Sequence, residues 1–245
     1  MPGTYLPAIW QALTKDRLEG YRATQGDHDW DLLARYVWNL ELAESFYSSL
    51  NLLEVGLRNH VDRAATALYG PGWLADPLVI VLPRAQAEIA QVTADLTAAG
   101  GPAPTHSRLV AALDFGFWSN LFNNAYAPGP PGQLHPAAQK HLWPVMLPTL
   151  FPRMTRVKLA GRFHEIRRLR NRVFHHEPIW RGIPIRAQGA VVGSKGLDRQ
   201  HADILEAIGW IAPDLRRTAI LLDSFPQVFA AGPRSFRAVV ELLDT

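Results

Sequence analysis

Apolar residues recur along most of this chain three or four positions apart, which is the spacing of an α-helix. The two clearest stripes consist of Leu50, Leu53, Leu57 and Val61, and of Leu159, Phe163, Ile166 and Val173. Residues at this spacing lie on one helix face, so each stripe predicts a helix with one side in the core. Clear period-two strands are missing from the pattern. The sequence therefore predicts an all-α fold.

Glycine and proline residues divide this pattern into separate helices. The predicted helices span residues 9–22, 29–69 with an interruption or bend near 48–49, 83–99, 107–123, 136–142, 155–176, 200–225 with a kink at 213, and 236–243. Pro178 disfavours helical geometry at the residue before it, so the helix from 155 should end close to His176. Residues 182–196 are predicted to form an irregular loop or a hairpin. With no internal repeat and no linker, the sequence predicts a single domain over residues 1–245.

The composition is that of an ordinary globular protein, because 48% of the 245 residues are hydrophobic and 19% are charged. The chain has no cysteine, which excludes disulfides, thiolate metal sites and a cysteine nucleophile. The first residues lack the basic and apolar regions of a signal peptide. The longest strongly apolar run, Leu78 to Leu82, is far shorter than the ~20 residues that a membrane span needs. We therefore expect a soluble, cytoplasmic protein with no membrane partner.

Positive charge is concentrated in one stretch of the chain. Residues 153–172 contain eight cations and a single acid, a net charge of +7, whereas the whole chain carries +3 and the remainder therefore −4. Seven of the eight cations are arginine, whose planar fork suits phosphate better than the point charge of lysine. The stretch favours an anionic partner such as RNA, although a solvated helix face is the alternative for the outer arginines.

The segment LRNRVFHHEPI, residues 169–179, combines several groups capable of chemistry. Arg170 projects within about 40° of the apolar stripe, where an arginine is costly unless an acid or an anionic ligand meets it. Asn171 and His175 are four residues apart and can form a hydrogen bond on one helix face. Arg170 and His175 lie about 140° apart on a regular helix. Either the helix distorts near its end, or the site combines residues of two copies across a symmetric interface, which also accounts for the direction of Arg170.

The pattern Arg-polar-x-x-x-His near a helix end resembles the motif of the HEPN ribonucleases, and RLRNRVFHHEPIW is similar to the bacterial Abi-like (abortive infection) branch of that superfamily. Residues 35–63, 112–122 and 201–215 fit the same family in the same order. The resemblance therefore extends over nearly the whole chain, from Trp10 to Phe229.

This resemblance implies a HEPN-like helical bundle with additional N- and C-terminal helices, acting as a homodimer with a composite active site. It also implies metal-independent cleavage of RNA with no cofactor, leaving 2′,3′-cyclic phosphate and 5′-hydroxyl ends. His175 would be the general base or acid, Arg170 would stabilise charge on the phosphate, and Asn171 would orient His175 or contact the phosphate. The role implied is a phage-defence effector or a toxin, with an inhibitory antitoxin or a phage trigger as partner.

Further residues are predicted to bind RNA or to support the site. They are Arg167, Arg168, Arg172, His176, Glu177, Arg58 and Asn59. His176 could contact RNA or pack internally, and Glu177 could accept a hydrogen bond from a histidine or cap the following turn. Arg58 and Asn59 resemble a second motif, but no histidine follows at the required spacing. Because Glu54 and Arg58 are spaced for a salt bridge, a structural role is favoured for Arg58.

Other interpretations remain open from the sequence. Arg170 could pair with an acid such as Glu54, with His175 only capping a helix end. The protein could be a non-catalytic module that binds RNA or a partner protein. It could also be an antitoxin-linked HEPN protein that a neighbouring nucleotidyltransferase modifies. A metal site is not predicted, because no HExxH pairing or carboxylate cluster accompanies the nine histidines.

Overall fold

The computed structural model describes residues 4–98, 103–127, 142–187 and 190–243. Twelve α-helices lie within these ranges: α1 Tyr5–Leu13, α2 Lys15–Glu19, α3 Asp29–Ser45, α4 Tyr47–Tyr69, α5 Pro83–Ala98, α6 His106–Ala112, α7 Phe115–Asn120, α8 Leu147–Leu150, α9 Arg156–Phe174, α10 Leu197–Ile211, α11 Pro213–Leu221 and α12 Phe225–Leu242. Strands β1 Ile183–Ala187 and β2 Ala190–Lys195 pair antiparallel. The all-α prediction is confirmed. The strands fall in the segment for which a loop or a hairpin was predicted.

Several helix boundaries coincide with glycine and proline residues. Helix α4 ends before Gly70, whose φ of +89° is readily available only to glycine. Helices α5 and α11 each begin with a proline, whose missing N–H would have no helical partner at that position. The predicted kink at Pro213 is a complete break between α10 and α11. Helix α9 ends at Phe174, two residues before the predicted end.

Other boundaries differ from the prediction because polar side chains and local backbone geometry interrupt the helical pattern. The helix predicted over 9–22 is two helices separated by Thr14, which has a φ of +65°. The interruption predicted near residues 48–49 falls two residues earlier, at Phe46, where the Ser45 hydroxyl donates back to the carbonyl of Leu42 at 2.7 Å. The helix predicted over 107–123 is divided before Asp114, whose carboxylate accepts a hydrogen bond from the N–H of Phe117 and caps α7.

Two predicted helices remain, over residues 136–142 and 236–243. The last helix begins at Phe225, eleven residues earlier than predicted, and bends at Gly232, whose φ is +64°. The helix predicted over 136–142 lies outside the described residues except for its last position. Leu142 itself belongs to a short π-helical segment, Leu142–Met146.

The chain divides into two compact units, each assembled from separate segments. Unit 1 comprises the described residues of Met1–Leu50, Leu169–Asp203 and Ala219–Thr245, and unit 2 those of Asn51–Arg168 and Ile204–Thr218. No single position along the chain separates them, because each unit draws on more than one stretch of sequence. The prediction of a single domain is not tested by this division.

Each unit has its own apolar core. In unit 1, α3 packs against α12 around buried Leu33, Ala34 and Val240. In unit 2, the core contains two groups of aromatic rings, with ring contacts within each group. Their fully buried members are Trp73, Phe117, Trp118, Phe122, Phe151 and Phe163. Trp73 and Trp118 are fully buried and Trp38 is 7% exposed, so these three rings serve packing.

Candidate functional site

The predicted catalytic segment lies in unit 1, at the C-terminal end of α9 and in the turn that follows. The N–H of His175 donates to the carbonyl of Asn171 at 2.8 Å, which continues the helical hydrogen-bond pattern one residue beyond Phe174. The chain then turns, with hydrogen bonds from His176 N–H to the carbonyl of Val173 and from Glu177 N–H to the carbonyl of Arg172. These two bonds form a Schellman cap, which satisfies the last carbonyl groups of the helix.

His176 occupies the left-handed position of this cap, with a φ of +57°. That position usually holds glycine, because a residue with a Cβ is disfavoured there by about 1 kcal/mol. A histidine therefore sits where glycine would be more stable, and its imidazole is exposed. Backbone strain of this kind is often found at functional sites, so it is a reason to consider a role for the His176 side chain.

Asn39 holds the turn after His176 in place from α3. Its side-chain oxygen accepts the N–H of Ile179 at 2.7 Å and that of Trp180 at 3.4 Å. Its amide nitrogen donates to the carbonyl of Glu177 and to the hydroxyl of Tyr21, both at 3.3 Å. Asn39 is 2% exposed, so these hydrogen bonds are shielded from water. Burial also raises the pKa of Tyr21 to about 12, which keeps its hydroxyl neutral.

Two arginines fix the same turn through its carbonyl groups. The guanidinium of Arg172 donates to the carbonyls of Pro178 and Gly182, and its Nε lies 3.3 Å from a carboxylate oxygen of Glu177. Arg17 donates to the carbonyl of His176 at 2.5 Å. Arg172 and Glu177 were predicted to bind RNA or to support the site. Their observed contacts are with this chain, and they stabilise the turn.

The three predicted catalytic residues differ in their exposure. Asn171 and His175 are exposed, whereas Arg170 is half-buried and its guanidinium carbon lies 4.6 Å from the centre of the Phe174 ring. Since the helical pattern continues to His175, no distortion brings Arg170 and His175 to one face. The two side chains leave a regular helix about 140° apart and about 7.5 Å apart along its axis. Within one chain, Arg170 and His175 therefore do not share a helix face.

The other predicted supporting residues belong to unit 2. Arg167 donates to the side-chain oxygen of Asn120 at 2.8 Å and contacts the ring of His164. Arg168 is half-buried and Asn59 is exposed. Arg58 donates to the carbonyl of Ala111 at 3.1 Å, which agrees with the structural role favoured for it.

Part of the positive charge of residues 153–172 is engaged within the chain. Arg162 forms an ion pair with Glu206 at 2.7 Å and lies over the ring of Trp210, as does Lys158. Arg156 donates to the carbonyl of Phe122. The local net charge of +7 therefore overstates the number of cations that are available to a polyanion.

Neither a metal-binding cluster nor a membrane-spanning helix occurs in the described parts of the chain. No three histidine, aspartate or glutamate residues among them come together in a way that could hold a metal ion. None of the helices in the described ranges combines the length and the apolar character needed to cross a membrane.

Sequence reasoning missed Asn39 and Arg17 as residues that position the candidate site. Asn39 lies 138 residues before Glu177 in the chain, so its contact follows from the tertiary fold. A signal was nevertheless present, because Asn39 is a polar residue between Trp38 and Leu42 in a helix whose neighbouring positions are apolar. A buried asparagine needs partners for four hydrogen bonds, and the turn supplies three of them.

Comparisons with models of protein families, with curated proteins and with solved structures find no match to this chain. The resemblance to the HEPN ribonucleases therefore rests on the four sequence segments given above. The function has to be inferred from the side chains and their arrangement.

Proposed function

We propose that this protein is a metal-independent endoribonuclease of the HEPN type that acts as a homodimer. The observation that carries the proposal is the end of α9, where exposed His175 and His176 follow Arg170 and Asn171 on a turn held by Asn39, Arg17 and Arg172. A histidine can take or give a proton near neutral pH, and a fixed backbone keeps it in position for the reaction.

The chemistry assigned to these residues is attack by the 2′-hydroxyl of RNA on the adjacent phosphorus. A histidine acting as base accepts the 2′-hydroxyl proton while the 2′-oxygen forms a bond to phosphorus. The bond from phosphorus to the 5′-oxygen breaks, and that oxygen receives a proton from an acid. Arg170 donates hydrogen bonds to the phosphate oxygens as their negative charge increases. The products are a 2′,3′-cyclic phosphate and a 5′-hydroxyl, so DNA is not a substrate.

A composite site between two copies is part of this proposal. Within one chain, Arg170 and His175 leave α9 on different sides, and one phosphate has to meet both groups. A two-fold axis near the helix end would place the histidine of one copy beside the arginine of the other. Each dimer would then offer two histidines for the two proton transfers.

The test is cleavage of mixed RNA by the purified protein in the presence of EDTA. The wild type should cut, and His175→Ala should lose a factor of about 10² to 10⁴ in rate, the usual contribution of a general acid or base. His28→Ala is the matched control, because His28 is an exposed histidine of the same unit that precedes α3. Its rate should equal that of the wild type, and the new ends should be 2′,3′-cyclic phosphates. Cleavage by His175→Ala at the wild-type rate would exclude His175 as the catalytic group.

A non-catalytic module that binds RNA or protein is the second candidate, and the position of Arg170 favours it. The guanidinium stacks on Phe174, a contact that serves the fold by itself. Arg170→Ala separates the two candidates. A folded variant without activity indicates catalysis, whereas loss of folding indicates a structural role.

The biological setting follows from the proposed chemistry. Cleavage of cellular RNA would stop growth, which suits a phage-defence effector or the toxin of a toxin–antitoxin pair. Expression of the wild type should then arrest growth, whereas expression of His175→Ala should not. Arrest by both proteins would assign the toxicity to something other than RNA cleavage.

A further inference from the structure

An open cavity in unit 2 lies between the end of α7 and the middle of α9. Its volume is about 460 Å³. The side chains that line it come from two short stretches of sequence. They are Ser119, Asn120, Asn123, Ala160, Gly161, His164 and Arg167. All seven residues belong to unit 2, so the cavity is independent of the chemistry proposed for Arg170 and His175.

Arg167 organises the polar wall of this cavity. One terminal nitrogen donates to the side-chain oxygen of Asn120 at 2.8 Å, and the other lies 3.3 Å from Nδ1 of His164. An arginine can only donate, so Nδ1 of His164 accepts this bond and the ring proton is on Nε2. His164 therefore contributes an N–H donor, and the guanidinium of Arg167 keeps further N–H groups that these two bonds do not use.

The two asparagines add donors of the same kind. Because the oxygen of Asn120 accepts from Arg167, its NH₂ group is left to donate. The oxygen of Asn123 accepts a hydrogen bond from the N–H of Ala125, so the NH₂ group of Asn123 is also left to donate. No carboxylate is among the seven residues that line the cavity. The wall thus combines one fixed positive charge with N–H donors, which is the chemistry that recognises a phosphoryl group.

The electrostatic surroundings of His164 agree with this assignment. Desolvation lowers its pKa, and the charges of Arg167 and Arg168 lower it further, while Glu165 has a smaller opposite effect. The potential at the ring is therefore positive, and an anion in the cavity would reduce it.

Gly161 is the position on this wall where a side chain can be added without displacing other atoms. A Cβ added at Gly161 would meet no atom within 4 Å, so the packing of the chain does not require glycine there. At Gly56, by contrast, an added Cβ would lie 2.6 Å from a methyl group of Leu215. Glycine in the middle of a helix weakens it relative to alanine.

From the donor wall of this cavity, formed by Arg167, His164 and the two asparagines, we infer that it binds the phosphoryl group of a phosphate ester. Two sources supply that chemistry, a free mononucleotide and the backbone of single-stranded RNA. The cavity would hold the phosphate against Arg167 and His164.

The test is binding of three probes by the full chain: inorganic phosphate, adenosine 5′-monophosphate, and a single-stranded oligoribonucleotide whose 2′-hydroxyls are methylated to prevent cleavage. Gly161→Glu places a carboxylate in the cavity and should weaken binding at least tenfold. Gly161→Ala leaves most of the space and should bind within about twofold of the wild type. Ala94→Glu adds the same charge at an exposed position of α5, away from the lining residues, and should also bind as the wild type does. Thermal unfolding of each variant checks that it is folded.

The inference is supported if phosphate or the mononucleotide binds saturably to the wild type and only Gly161→Glu, among the variants, removes that binding. This result would identify a free phosphate ester as the ligand. Weakening of oligonucleotide binding alone, by Gly161→Glu and not by Ala94→Glu, supports it with the RNA backbone as the source. Equal binding by Gly161→Glu and Ala94→Glu would overturn it, as would the absence of binding of all three probes. Cleavage of unmethylated RNA by the wild type in EDTA is measured separately. Probe binding that depends on Gly161 without RNA cleavage would contradict only the proposed ribonuclease activity, and cleavage without such binding would contradict only this inference.

Discussion

Arginines of helix α9 are used differently in the two compact units. In unit 2, Arg167 donates to the side chains of Asn120 and His164, and all three groups line an open cavity. In unit 1, Arg172 donates to the main-chain carbonyls of Pro178 and Gly182, and its side chain is only 18% exposed. The first arginine has donors at a space large enough for a ligand. The donors of the second are engaged by the chain itself.

The difference teaches that the partner of an arginine, and not its place in a basic stretch, indicates its use. A guanidinium that binds backbone carbonyls replaces the hydrogen bonds that a buried turn cannot make to water. A guanidinium that binds side chains at a cavity wall is positioned while its remaining donors stay accessible. Charge counting places both residues in one group, whereas their contacts divide them.

The largest expected effect is on the free energy of unfolding and concerns Asn39, the buried residue that holds the turn after His176 in unit 1. Asn39→Leu removes the acceptor of the buried Ile179 N–H and the donor to the Glu177 carbonyl. Because buried polar groups are left without partners, the free energy of unfolding should fall by about 3 kcal/mol. Urea denaturation followed by circular dichroism measures the change.

Asn59→Leu is the control for this substitution, since Asn59 is an exposed asparagine on a helix of unit 2. Its unfolding free energy should stay within about 0.5 kcal/mol of the wild type. If Asn39→Leu unfolded at the same urea concentration as the wild type, the turn would not depend on this asparagine.

A second pair of variants tests the comparison between the two arginines directly. Arg172→Lys keeps the charge but loses the fork that reaches two carbonyls, so we expect it to lower the free energy of unfolding by about 2 kcal/mol. Arg167→Lys changes contacts at an accessible wall and should lower it by less than about 1 kcal/mol. Equal losses in the two variants would show that Arg167 is as structural as Arg172, and the distinction between the units would fail.

The sequence predicts the helices of this fold well, and it predicts their interruptions less well. Helix α5 and the break at Pro213 follow from proline, whose effect on the backbone is local and strong. The interruption predicted near residues 48–49 falls two residues earlier, at Phe46, and the division before Asp114 is not indicated by the pattern at all. Local pattern therefore locates the elements, and side-chain hydrogen bonds decide where they end.

The candidate site also depends on contacts that the local sequence pattern does not indicate, here between residues that are far apart in the chain. The sequence places Arg170, Asn171 and His175 near a helix end, because Pro178 stops the helix. It does not indicate that Asn39 and Arg17 hold the following turn, since both contacts depend on the packing of unit 1. Neither does it indicate the left-handed backbone of His176, which follows from the way in which the chain leaves α9.

The smallest expected effect concerns His176, the residue with the left-handed backbone. The direction of the change in the free energy of unfolding is the informative result. His176→Gly places glycine at the position of the cap that glycine prefers, so removal of the backbone strain should raise the free energy of unfolding by about 0.5 to 1 kcal/mol. Arg17 can still donate to the carbonyl of residue 176, because that bond involves the main chain. The variant should thus be slightly more stable than the wild type, which urea denaturation can measure.

His176→Ala separates the backbone from the imidazole, since alanine keeps a Cβ in the left-handed region and loses only the ring. If the imidazole takes part in RNA cleavage, both variants should lose activity while only His176→Gly gains stability. If both variants keep full activity, His176 serves neither the chemistry nor the binding of RNA. A loss of stability in His176→Gly would contradict the strain argument itself, because it would mean that the histidine ring contributes more to the turn than its backbone conformation costs.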